Sequence, residues 1–118
     1  MITKEEIFEK SKLIGYQGEM NLVDIRNWLI DNGVICLVCD FSIEHWDNDS
    51  KRWIIKIYNE KDKVRLFTER RGFRTFDEAF MEVIMDGLKE HEKNINGFDY
   101  EKDFAEKIAN IKPANLWD

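Results

Sequence analysis

Apolar residues recur along this chain with two different periods, and the switch between them divides it. From Trp53 to Arg74 (WIIKIYNEKDKVRLFTERRGFR) the pattern is that of a β-hairpin. Two β-rich runs, Arg52–Asn59 and Val64–Arg71, flank a polar turn at Glu60–Lys63. Trp53, Ile55 and Ile57 share one parity; Arg52, Ile54, Lys56 and Tyr58 share the other. A four-residue turn predicts Tyr58 opposite Arg65, Ile57 opposite Leu66 and Ile55 opposite Thr68. That register sets Arg52, Lys56, Tyr58, Arg65, Phe67 and Arg71 on one face, with Trp53, Ile55, Ile57, Val64 and Leu66 on the other. A slip of one residue inverts every assignment. Upstream, Val34–Trp46 reads as another strand, with Ile35, Leu37, Cys39, Phe41 and Ile43 expected to face the core, and Asp47–Ser50 reads as a turn.

The remaining segments carry the helical period. Thr3–Ile14 opens with Thr3 and Glu6 at capping-box spacing and stops at Gly15. Asn21–Asn32 is capped by Asn21, with Leu22, Ile25 and Leu29 along one side and Gly33 as its stop. Thr75 and Glu78 form a second capping box, opening a helix to about Lys93. Its apolar stripe is Phe76, Phe80, Val83, Ile84 and Leu88; Glu78, Glu82, Asp86 and Glu90 make an acidic stripe. After Asn96-Gly97, Asp99 caps a last helix bearing Tyr100, Phe104, Ile108 and Ile111, which Pro113 ends. The order is α-α-β-β-β-α-α. Short connections predict a three-stranded antiparallel meander, covered on one face by the helix after Thr75. The fold class is α+β, as one domain over residues 1–118.

Charge changes this picture. The chain carries a formal net charge of −6, but Lys51–Arg74 holds nine Lys and Arg against three acids. A basic hairpin therefore sits on an acidic body, which marks either an anionic partner or a surface neutralised from within. No window approaches the ~20 apolar residues of a membrane span, and the first ten residues lack the apolar segment of a signal peptide. The expectation is a cytoplasmic protein with no membrane contact. Two cysteines in 118 residues are not a disulfide framework.

The segment Gly72–Leu88, GFRTFDEAFMEVIMDGL, follows two β-rich runs. It resembles the C-terminal half of small proteins from phages and mobile elements of Bacteroidetes, which share the Gly-aromatic-x-Thr-aromatic start and a later Gly-Leu. The resemblance covers about 27–91 and implies no activity or catalytic residue. The α-β-β-β-α order also resembles the double-stranded RNA-binding domain, in topology alone. Where that family clusters lysines, this chain has Phe76, Asp77 and Glu78.

Candidate chemistry is sparse. Cys36 and Cys39 have CxxC spacing, but in a strand i and i+3 point to opposite faces, so no single ion reaches both. His45 and His91 lie away from any nucleophile and read as surface histidines. Asp40 and Glu44 read as cross-strand ion-pair partners of Lys56 or Arg52, without the Glu-x-Lys of a strand-borne nuclease site. What remains is the basic, aromatic-bearing hairpin: Arg52, Lys56, Tyr58, Arg65, Phe67, Arg70, Arg71 and Arg74. The expectation is a non-enzymatic interaction module without cofactor or metal, binding a protein through this hairpin. The alternative is nucleic-acid binding by the same surface, and a third reading is an enzyme with an unrecognised site. An edge strand, the first or the third, offers a route to a homodimer.

Overall fold

The computed structural model describes residues 2–40, 53–65 and 67–111. Its elements are α1 (Lys4–Leu13), α2 (Leu22–Asp31), β1 (Val34–Asp40), β2 (Trp53–Asn59), β3 (Thr68–Phe73), α3 (Phe76–Ile95) and α4 (Tyr100–Ala109). The class is α+β and the order α-α-β-β-β-α-α. The expected Phe41, Ile43, His45, Glu44, Asp47–Ser50, Arg52, Leu66 and Pro113 assignments lie outside the described residues. Among the described residues no helix is long and apolar enough to cross a membrane.

Side chains start each helix. Thr3 Oγ1 accepts from the Glu6 N–H at 3.2 Å and Asn21 Oδ1 from Val23 at 2.8 Å. Thr75 Oγ1 accepts from Glu78 at 3.1 Å, and Asp99 Oδ1 from Lys102 at 3.0 Å. Each bond satisfies an amide that the helix itself leaves free.

The strands form an antiparallel meander in the order β1-β2-β3. Helix α3 lies across one face and also packs on α1 and α2. Ile7, Ile25, Leu29, Val34, Ile55, Val83, Ile84 and Leu88 are buried in one cluster between these layers. Burying an aliphatic side chain of this size contributes about 1.5–3 kcal/mol, so this face of the sheet and α3 fix one another. At Gly87 the helix approaches so closely that a Cβ would stand 2.6 Å from Cys36 Sγ and 3.0 Å from Leu29 Cδ1.

The core face of β1 is opposite to the one expected. Val34 and Cys36 are buried and Val38 packs on the core, while Leu37 is 40% exposed and Ile35 and Cys39 are half-buried. Pairing with β2 decides this: Cys36 lies opposite Ile57 and Val38 opposite Ile55, and opposed residues share a face. Both parities of Val34–Cys39 are apolar, so alternation within the strand had no preference to express.

The hairpin register differs too. β3 starts at Thr68, not Val64, because Asp62 organises a longer connection. Its carboxylate accepts from the N–H groups of Val64 and Arg65, both at 3.1 Å, and from Arg65 Nε at 2.9 Å. Ile57 therefore faces Thr68, and Ile55 faces Arg70. The shift is by two residues, so parity survives. The register shifts again between Trp53 and Ile54, where Gly72 takes φ +98° and Phe73 turns into the core.

His91 is not a surface residue. It is 8% exposed, one turn beyond Leu88 on the buried stripe of α3, and its ring meets Trp28 edge-on at 4.8 Å. Helix α4 is anchored by its first residue: Tyr100 is buried, whereas Phe104, Ile108 and Ile111 are exposed.

Candidate functional site

With α3 on one side of the sheet, the opposite parity makes an outer face. Lys56 of β2 stands between Leu37 of β1 and Glu69 of β3. Tyr58 is opposite Ile35, and Ile54 lies between Cys39 and Arg71. Ile54 is only 5% exposed yet stands outside the core cluster, so the outer face has a buried patch of its own. Phe67, just before β3, is 42% exposed. Its ring lies 5.5 Å from that of Tyr58, and Lys56 Nζ is 5.5 Å from its centroid, within cation–π range.

Glu69 ties this group together. It takes Arg71 Nε at 2.7 Å and Lys56 Nζ at 3.8 Å. Lys56, Tyr58, Phe67 and Arg71 are thus brought together as expected, around a carboxylate that sequence reasoning passed over. Its signal was present: residues of one parity on adjacent strands meet, and Glu69 shares the parity of Phe67 and Arg71.

The other expected residues lie elsewhere. Arg70 is opposite Ile55, on the helix-covered face, which corrects its grouping with the rest. Its Nη2 meets Glu82 at 2.6 Å and its Nε meets Asp86 at 2.8 Å, while the guanidinium lies 5.4 Å over the Phe73 ring. Burial works against its charge, but the hydrogen bonds it donates to those two carboxylates outweigh it and raise its pKa. Arg65 is held in the connection by Asp62. Arg74 is exposed beside a cleft of about 310 Å³ that also involves Ile2, Met81 and Glu82. Arg52 lies outside the described residues.

The acidic stripe of α3 is therefore not simply a wet face. Glu82 and Asp86 hold Arg70, and Glu90 accepts from Asn59 Nδ2 at 2.9 Å. Asn59 also donates to Tyr100 Oη at 2.8 Å, and Tyr100 donates to Asn94 Oδ1 at 2.7 Å, a network that pins α4 to β2. Burial, with Glu90 nearby, pushes the Tyr100 hydroxyl up to about 12.

The cysteines do not converge. Cys36 faces the core, where burial raises its thiol to about 12, and Cys39 has the opposite parity. Among the described residues no three His, Cys, Asp or Glu side chains are grouped to hold a metal. An apolar cleft of about 550 Å³ lies between α1, α2 and α3, lined by Phe8, Met20, Leu22, Phe76 and Phe80 with Lys4 and Asp77 at its side. Comparison with protein-family models, curated proteins and solved structures finds no match to this chain.

Proposed function

We propose that this protein is a non-enzymatic binding module that takes a protein partner on the outer face of its sheet, around Lys56, Tyr58, Phe67 and Arg71. One observation carries this reading: among the described residues α3 packs on one side of the sheet, and the other side offers exposed Phe67 beside a cluster of paired charge. Aromatic and arginine side chains beside satisfied polar groups are what protein interfaces concentrate at their centres. The resemblance of Gly72–Leu88 supports placing the module in a phage or other mobile element.

A nucleic acid on the same face is the second reading, favoured by the Tyr58 and Phe67 rings as stacking surfaces. It is the weaker of the two, because phosphate binding draws on available cations. Arg65 and Arg70 are tied to Asp62, Glu82 and Asp86, and Lys56 and Arg71 share Glu69. Affinity capture from a bacterial lysate tests the proposal. A protein retained by the native chain and by Arg70→Gln, and lost with Phe67→Ala, is the expected result. No retained protein, or one indifferent to Phe67, counts against it. Nucleic acid that elutes steeply with salt selects the second reading.

A further inference from the structure

The two edges of the sheet are built differently. β3 carries Glu69, Arg70 and Arg71 and is bent by the irregularity at Gly72, devices that discourage a further strand from pairing. In β1 the first six residues have none of them. Val34–Cys39 is six uncharged residues without proline, glycine or bulge, and no strand pairs with its outer side among the described residues. A regular apolar edge of this kind is a template for another strand.

The backbone phase of that edge follows from one bond. Glu60 N–H donates to Gly33 C=O at 2.9 Å, continuing the β1–β2 ladder. Odd-numbered residues of β1 therefore turn their amides toward β2, and even-numbered ones turn theirs to the open edge. Val34, Cys36 and Val38 present the free N–H and C=O groups. An antiparallel copy must then match even residues with even residues. The arrangement centred on Leu37 does so, setting Cys36 against Val38 of the second copy and Ile35 against its Cys39. A parallel pairing would bring the two Asp40 carboxylates together; the antiparallel one sends them to opposite ends of the ribbon.

We infer that β1 is a self-pairing edge, along which two copies of this chain join antiparallel with Leu37 on the two-fold axis and make one continuous sheet. The occupant is a second copy because the middle of the segment complements itself: Ile35–Cys39 meets Ile35–Cys39 apolar against apolar, and the two Asp40 residues fall at opposite ends of the ribbon, each against Val34 of the twin. The two Leu37 side chains, 40% exposed in the single chain, cover one another on the outer face. This closed two-fold contact is the commonest symmetry of homo-oligomers. It goes beyond the partner surface around Phe67, which lies toward β3.

Sedimentation of the full chain over a range of concentrations tests it. The native chain is expected at twice its 14.2 kDa mass, and Leu37→Lys, which sets two like charges on the axis, at the single-chain mass. Phe67→Ala is expected to remain double, so failure here is distinguishable from failure of the partner reading. If Leu37→Lys does not fold, Leu37→Cys in a Cys39→Ser background decides. Cys36 faces the core, and opposed residues at a non-hydrogen-bonded pair are close enough for a disulfide, so mild oxidation is expected to give a covalent dimer. A native chain that stays single throughout, a Leu37→Lys chain that stays double, or an absence of cross-link overturns the inference.

Discussion

Gly87 lies where α3 meets β1 and α2, and the space there decides the sign of a substitution. Alanine gains about 1 kcal/mol of helix propensity over glycine. Its methyl group would also enter the space of Cys36 Sγ and Leu29 Cδ1, both on buried residues. Overpacking costs about 1–3 kcal/mol, so Gly87→Ala is expected to be net destabilising, lowering the urea midpoint at unchanged m-value. In a Cys36→Ala background the loss should shrink, because the displaced sulfur is gone. His91 gives the corresponding pH signature. Burial, then Lys61, lowers its pKa from 6.5. The folded chain keeps it neutral while the unfolded chain takes up a proton, so its contribution is intact above pH 6.5 and lost as pH falls below that value. Denaturation of native and His91→Gln chains between pH 7.5 and 5.5 checks this; the variant should show the shallower decline. At the alkaline end Tyr100 acts with the opposite sign, its stabilisation fading as pH rises from 10 toward 12. His91 was legible as a core residue, since it stands three after Leu88 and seven after Ile84. Reading it as a lone histidine hid that spacing.

At the scale of elements, helix starts were legible because a cap is a local device: Thr3, Asn21, Thr75 and Asp99 each act on an amide two or three residues away. Strand faces were not, because they depend on partners. Val34–Cys39 is apolar on both parities, and only its pairing with Ile55 and Ile57 chose the inner one. The hairpin register was equally hidden, since the Asp62 side chain builds the connection that sets it. Arg70 ties two elements, spanning from β3 to Glu82 and Asp86 on α3. Because the guanidinium is half exposed, solvent screens these pairs, and Arg70→Met is expected to cost only about 1 kcal/mol. Adding Glu82→Gln should restore part of it, measured as the coupling in a double-mutant cycle.

Across the whole molecule, the segregation of positive charge on the hairpin and negative charge on the helices was plain from residue counts. Its consequence was not. Only the packing of α3 over the sheet brings Glu82 and Asp86 to Arg70, and only the strand pairing brings Glu69 to Lys56 and Arg71. Lys56, Arg65, Arg70 and Arg71 are thus matched by carboxylates of the same chain, and what the outer face around Phe67 offers is aromatic and aliphatic surface beside paired charge. An interface of this character owes its affinity to buried contact and its charges mainly set specificity and encounter rate.

The measurement that bears most directly on this is the affinity of the captured partner for native, Phe67→Ala and Arg70→Gln chains at low and moderate salt. Phe67→Ala is expected to weaken binding about tenfold or more, equivalent to about 1.4 kcal/mol, with Arg70→Gln close to native and little loss in salt. Equal losses from both variants, or binding that collapses as salt rises, would contradict the outer sheet face around Phe67 as the recognition surface.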